Sequence, residues 1–178
     1  ALRVLRDAYL AASDFDALTA LYEEAKDWEG LVEVLSGAAD RATEADQKIE
    51  LSFRAADVYA NRLGAPERAF RAYERVLSAR PDDARAARAL VRLYEKEEKW
   101  ARLPALYDIL LNHSQGDVEA LEYLSKLESV TGTRLGDRAT AFGYAELRYK
   151  LSRDRKAAVV ALYDSARATG LWERFHEV

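Results

Sequence analysis

The stretch "AYERVLSARPDDARAARALVRLYEKEEKW", residues 72–100, contains two helix-forming segments separated by Arg80-Pro81-Asp82-Asp83. Pro81 has no backbone N–H and disfavours helical geometry in the residue before it, so the first helix should end near Arg80. Asp82 or Asp83 can then accept hydrogen bonds from the unpaired N–H groups that begin the second helix. The stretch therefore predicts a helical hairpin with a tight elbow.

The same pattern extends along nearly the whole chain of 178 residues. Apolar residues recur at spacings of three and four, and the alternation typical of a strand is nowhere sustained. Short connectors that contain Gly, Pro or Asp separate the helical segments, which should make neighbouring helices pack antiparallel. The sequence predicts an all-α fold. The predicted helices cover about 1–11, 14–26, 28–41, 45–62, 66–79, 82–97, 99–113, 116–131, 137–151, 154–169 and 171 onward.

The chain also carries an internal repeat. Trp28, Trp100 and Trp172 each lie 72 residues apart. Other matches at the same spacing are RLG at 62–64 and 134–136, and Ala69-Phe70 and Ala141-Phe142. A 72-residue block is therefore duplicated. Half of that block, about 36 residues, has the length of one helical hairpin.

The best-defined hairpin in this pattern covers residues 49–81. Tyr59 is the aromatic residue of its first helix, and Gly64 lies in its turn. The second helix carries a small residue, an aromatic residue, a small residue and a closing proline: Ala69, Tyr73, Val76 and Pro81. This arrangement resembles the tetratricopeptide repeat family. The later hairpin at 116–151 departs from the pattern, because Thr131 and Ala145 replace its two aromatic residues.

The resemblance implies a right-handed α-α superhelix of antiparallel hairpins. We expect a single repeat domain over residues 1–178, with about five hairpin units that stack on one another. In such a stack, small residues such as Ala69 and Ala141 let helices approach closely, and aromatic residues fill the remaining space. The chain begins within a helical pattern and has no initiator methionine, so we expect it to be a fragment of a longer array.

Composition excludes several classes of protein. The net charge of −4 gives no general attraction for nucleic acid, so no nucleic-acid partner is expected. No apolar run approaches the roughly 18 residues of a membrane span, so no membrane insertion is expected. The absence of cysteine excludes disulfides and thiolate metal sites. The charged first residues predict no signal peptide and hence a cytoplasmic location. The abundance of arginine and alanine is typical of a GC-rich bacterial gene.

The sequence offers little for catalysis. His113 and His176 are the only histidines, and neither lies in a metal-ligand spacing such as H-E-x-x-H. His113 lies near a predicted helix C-terminus, where a capping or surface role is favoured. No glycine-rich phosphate loop is present, and the tryptophans are interpreted as packing at elbows rather than as stacking platforms. We therefore predict a non-enzymatic protein with no catalytic residue, no cofactor and no metal site.

One charged helix face is a candidate binding site. Four basic residues share a face of the helix predicted at 82–97: Arg85, Arg88, Arg92 and Lys96. Like charges at such spacings destabilise an isolated helix by about 0.2–0.5 kcal/mol per pair, so something should offset the repulsion. The family resemblance implies that these residues face the concave groove. Either an acidic peptide binds there, with Phe53 as an exposed aromatic residue, or Glu50 and Asp57 of the preceding first helix form internal ion pairs.

The favoured function is a non-catalytic protein–protein interaction scaffold that binds a peptide or partner domain through its concave face, with an acidic peptide as one candidate partner. The inference depends on repeat architecture and is partly an analogy of fold. Two alternatives remain open. The first is that the chain is a structural spacer or regulatory segment of a larger multidomain protein. The second is that it is a helical-repeat RNA-binding protein.

Overall fold

The computed structural model describes residues 2–178, and this part of the chain is α-helical with no strand. The predicted all-α fold is confirmed. Every predicted helix is present, and the ends differ by no more than two residues except at the start of α7. The helices are α1 Leu2–Ala11, α2 Phe15–Ala25, α3 Trp28–Arg41, α4 Ala45–Asn61, α5 Pro66–Ala79, α6 Ala84–Lys96, α7 Leu103–Asn112, α8 Asp117–Ser129, α9 Arg138–Leu151, α10 Arg155–Thr169 and α11 Trp172–Glu177.

The chain divides into two compact units, Ala1–Ala86 (unit 1) and Ala87–Val178 (unit 2). Within each unit, helices pack mainly on their neighbours along the chain: α3 on α4 and α4 on α5, then α8 on α9 and α9 on α10. One continuous domain over residues 1–178 stays a prediction. Among the described residues, no helix has both the length and the apolar character needed to cross a lipid bilayer.

Each unit has its own hydrophobic core. The core of unit 1 includes Phe15, Leu18, Tyr22, Leu31 and Leu35. In unit 2, a core cluster joins Phe142, Ala145, Leu162 and Ala166. Burying a large apolar side chain contributes roughly 1.5–3 kcal/mol, so these clusters hold the hairpins together.

The helix break predicted at Arg80-Pro81-Asp82-Asp83 is confirmed. Helix α5 ends at Ala79, two residues before Pro81. Asp83 is the capping residue, because its buried carboxylate accepts hydrogen bonds from the backbone N–H groups of Arg85 and Ala86 at 3.0 and 3.1 Å. These bonds satisfy two of the donors that a helix start leaves unpaired.

The backbone follows the 72-residue repeat at its turns. Lys26, Glu98 and Gly170 each precede a second helix of a hairpin, with left-handed φ values of 53°, 54° and 78°. Gly64 and Gly136, the glycines of the two RLG turns, have φ values of 57° and 72°. A Cβ atom disfavours this region, so Lys26 and Glu98 adopt it because the elbow requires it.

The tryptophans and the RLG turns also contact each other at the repeat spacing. The guanidinium of Arg62 lies over the Trp28 ring at 4.6 Å, and that of Arg134 lies over the Trp100 ring at 4.4 Å. Both are cation–π contacts. Trp172 is 39% exposed and packs edge-on against other aromatic rings. These contacts support elbow packing as the role of the first two tryptophans.

Two helices depart from the predicted geometry. The helix expected over 99–113 begins as a 3₁₀ turn, Trp100–Arg102, because Pro104 has no N–H to donate to the Trp100 carbonyl. That carbonyl instead accepts from the N–H of Leu103, one residue closer. The helix expected over 116–131 is α-helical to Ser129 and continues as a π turn, Val130–Arg134. The matching turn of unit 1 contains a backbone bond of the same span, from the Leu63 N–H to the Val58 carbonyl at 3.0 Å.

Candidate functional site

Two of the predicted peptide-binding residues, Phe53 and Arg85, lie in unit 1 and contact each other. The Arg85 guanidinium lies over the Phe53 ring at 4.8 Å. Its Nη1 is 3.1 Å from Oε2 of Glu50, and its Nη2 is 3.6 Å from the buried carboxylate of Asp83. Arg85 therefore makes the internal ion pair with Glu50 that the second interpretation of the sequence expects.

Glu50 is the centre of a chain of charges that joins α2, α4 and the start of α6. It also accepts a hydrogen bond from Nε of Arg54 at 2.8 Å, and Nη1 of Arg54 reaches Asp16 at 2.7 Å. Burial works to raise the pKa of Glu50, but the hydrogen bonds from Arg54 and Arg85 outweigh it, so that pKa is lowered. The charges on this face of unit 1 are therefore largely neutralised by one another.

The aromatic side of the same face is closed by packing. Phe53 meets Tyr73 edge to face, with ring centroids 5.4 Å apart. Tyr73 is buried, and its hydroxyl donates to Asp57 at 3.4 Å, which also accepts from Asn61 at 2.7 Å. The remaining hollow has a volume of about 230 Å³ and is bordered by Thr19, Glu50 and Val58 among others. Phe53 is half-buried in this arrangement.

The other predicted residues, Arg88, Arg92 and Lys96, lie on α6 in unit 2 and are exposed. Nη2 of Arg88 is 3.9 Å from Oε1 of Glu119, a long and weak ion pair. Glu119 is held more closely by the N–H of Gln115 at 2.7 Å, and this hydrogen bond lowers its pKa. Within residues 87–178, Arg92 and Lys96 make no ion pair. The structure thus divides the predicted set between a packed part and an exposed part.

A groove in unit 2 was not identified from the sequence. It lies among α8, α9 and α10 and has a volume of about 590 Å³. Its lining includes Ser125 and Ser129 of α8, Gly132 of the π turn, and Asp164 and Ser165 of α10. The one signal in the sequence is the repeat, since Ser125 occupies the position that Phe53 holds 72 residues earlier.

An ion pair crosses the wall of this groove. Arg148 of α9 donates through Nη1 to Oε2 of Glu128 on α8, and the two side chains are only 29% and 19% exposed. A smaller hollow of about 150 Å³ lies beside Arg148 and is lined by Ala145, Ala161 and Leu162 among others. Arg148 and Ala161 border both hollows, so the two spaces adjoin.

The histidines lie apart from these features. His113 is the exposed C-cap residue of α7, and its backbone N–H bonds to carbonyls of the last turn, which confirms its predicted place at a helix C-terminus. His176 is exposed in α11. Among residues 2–178 there is no group of three or more His, Asp or Glu side chains placed to hold a metal ion.

Comparison with known proteins identifies the fold. No protein-family model matches the sequence, and no curated protein is significantly similar to it. The solved structure "Functional Characterization of Pseudomonas Aeruginosa pilF" aligns over 99% of this chain and 77% of its own, with 20% identity and a TM-score of 0.41. The structure "MamA MSR-1 C2", a tetratricopeptide-repeat protein, aligns over 96% of this chain and 91% of its own, with 17% identity and a TM-score of 0.51. The chain therefore has an all-α, tetratricopeptide-like helical-repeat fold.

Proposed function

We propose that this chain is a non-catalytic protein-interaction scaffold, and that an acidic peptide or partner segment binds to Arg88, Arg92 and Lys96, which we name the basic face. The observation that carries the proposal is the exposure of three cations on one side of α6, with one long ion pair to Glu119 among the described residues of unit 2. The helical-repeat fold is typical of interaction scaffolds and supports the same class of function.

The electrostatics of the basic face favour a ligand with carboxylates. Arg88, Arg92 and Lys96 follow each other at spacings of four, so each neighbouring pair repels by about 0.2–0.5 kcal/mol. A bound carboxylate reduces this repulsion and can take two parallel N–H···O bonds from a guanidinium. Single exposed ion pairs contribute only about 0.2–1 kcal/mol, so the ligand needs several carboxylates.

We assign Arg85 and Phe53 to holding the repeat together rather than to binding. Their side chains contact each other, and Arg85 is engaged by both Glu50 and Asp83. A ligand carboxylate would have to compete with these contacts. The proposed site is therefore smaller than the set that the sequence suggests.

Calorimetric titration of an acetylated peptide of alternating Glu and Gly tests the proposal. We expect the double variant Arg92→Glu/Lys96→Glu to weaken binding about tenfold or more, because four units of charge change at the face. The matched control is Lys48→Glu/Arg71→Glu, which makes the same change in net charge on exposed residues of α4 and α5.

The control distinguishes a local site from a general effect of net charge. Equal losses in the two double variants would contradict the proposal, as would undetectable binding to the native chain. Binding of a single-stranded oligoribonucleotide in place of the peptide, with a steep dependence on salt, would instead support the nucleic-acid alternative.

A further inference from the structure

We propose that the groove among α8, α9 and α10 receives an aromatic side chain, most favourably that of tyrosine, from the bound partner segment. This inference rests on the proposed scaffold function and adds a second, uncharged element to it. The groove has a volume of about 590 Å³, within the usual range of ligand pockets. It opens in unit 2, the unit that carries the basic face.

The internal repeat indicates what belongs in this space. In unit 1, Phe53 lies on α4 and Tyr73 on α5, the two helices of one hairpin, and their rings are in edge-to-face contact. At the same positions in unit 2, 72 residues later, the chain has Ser125 and Ala145. Ser125 borders the larger hollow and Ala145 the smaller one beside it. The space therefore opens where the other copy of the hairpin holds aromatic rings.

The π turn after α8 contributes to the lining of the groove. The matching residues of unit 1 are 58–62, and the two copies close with the same backbone bond: the N–H of Leu63 donates to the Val58 carbonyl, and that of Leu135 to the Val130 carbonyl, both at 3.0 Å. In unit 2 this turn, Val130–Arg134, contributes Gly132 to the groove. A Cβ atom on Gly132 would lie 3.1 Å from that of Ala141, so the glycine allows the turn to approach α9 closely.

The lining suits an aromatic group with a hydroxyl. The planar guanidinium of Arg148 is fixed by Glu128, and a planar cation stacks favourably on an aromatic face. In unit 1 the Arg85 guanidinium already lies in this way over Phe53. The hydroxyls of Ser125 and Ser129 border the same space and can exchange hydrogen bonds with a phenol.

The test uses the isotope-labelled full chain and two small probes, N-acetyl-tyrosinamide and N-acetyl-leucinamide. We expect the tyrosine probe to shift the amide resonances of Ser129, Gly132 and Ser165, with saturation at roughly millimolar concentration. The variant Ser125→Phe places a ring where unit 1 has one, and should abolish these shifts. Ser78→Phe, at an exposed position of α5, is the matched control and should leave them intact.

The outcomes separate this inference from the function on which it rests. Equal shifts with the leucine probe, no shifts in the native chain, or shifts that persist in a folded Ser125→Phe variant would each overturn the aromatic groove. The peptide of alternating Glu and Gly has no ring, so Ser125→Phe should leave its affinity unchanged. If that peptide binds while the tyrosine probe does not, only the groove is wrong. If the probe binds and the peptide does not, the basic face is wrong.

Discussion

The hairpin of α4 and α5 and the hairpin of α8 and α9 occupy matching places in the duplicated block, yet their interiors differ. Both keep a left-handed glycine in the turn, at Gly64 and Gly136, and a buried small residue after it, at Ala69 and Ala141. The first hairpin adds aromatic rings to this frame. The second has an ion pair and a groove.

The difference shows which parts of a repeat the fold requires. Turn geometry and close helix contact appear in both copies, because each sets the path of the chain. The volume of the side chains that face the groove is free to change, because a neighbouring side chain or a ligand can fill the space. We therefore expect the packed copy to supply stability, and the open copy is the one that we propose binds the partner segment.

Removing a ring from the packed hairpin should have the largest effect. Tyr73 is 1% exposed and contacts Phe53, so Tyr73→Ala, which installs the residue type found at Ala145, leaves a cavity. We expect the free energy of unfolding to fall by about 3–5 kcal/mol. Urea denaturation followed by circular dichroism measures it, and hydrogen exchange should show the loss of protection in α4 and α5.

Leu147→Ala on α9 is the control for that change. Leu147 is 49% exposed, so its truncation should alter the free energy of unfolding by no more than about 0.5 kcal/mol. A loss below about 1 kcal/mol for Tyr73→Ala would mean that the first hairpin closes around the missing ring. The ring of Tyr73 would then contribute little to stability, and the packed hairpin would not differ from the open one in free energy.

The ion pair of the open hairpin should have an intermediate effect. Glu128→Ala and Arg148→Val each leave one partly buried charge without its partner, and each should destabilise the chain by about 1–3 kcal/mol. The double variant restores the residue types of the first hairpin, Ala56 and Val76, and should differ from the native chain by less than about 1 kcal/mol. Denaturation of all four proteins gives the coupling energy, and simple additivity of the two losses would contradict the expectation.

The course of the helices was predictable because its determinants are local. Pro81 and Asp83 fix the elbow that the sequence indicates, and the spacing of apolar residues fixes the faces that pack. The π turn at 130–134 was not predictable. Gly132 in this turn lies close to Ala141 of the next helix, since a Cβ atom on the glycine would be 3.1 Å from that of Ala141, and no periodicity encodes this contact.

The candidate site was only partly accessible from the sequence. The sequence showed the four basic residues on one side of α6, but not which of them would be engaged in packing and which exposed. Arg85 pairs with Glu50 of α4, and only the packed helices bring these two side chains within reach. The loss of aromatic residues at Ser125 and Ala145 was visible through the repeat. Whether neighbouring helices would close that space depends on packing of the whole unit, so the groove had to be observed.

The start of the second helix offers the smallest and cleanest comparison between the two hairpins. Asp137 caps α9 by accepting from the Thr140 N–H at 3.1 Å, whereas the matching residue before α5, Ala65, has no capping side chain. Ala65→Asp should therefore raise the free energy of unfolding by about 0.5–1 kcal/mol, measured by urea denaturation. Hydrogen bonds from Thr140 lower the pKa of Asp137. If the carboxylate introduced by Ala65→Asp caps α5 in the same way, its pKa is also lower in the folded chain than in the unfolded chain. The added stability is then fully present above the unfolded-state pKa and is lost as the pH falls through the folded-state pKa. Ala65→Asn is the matched control, because a neutral cap should keep its added stability at low pH. An unchanged urea midpoint in both variants would show that Pro66 already fixes this helix start without a cap.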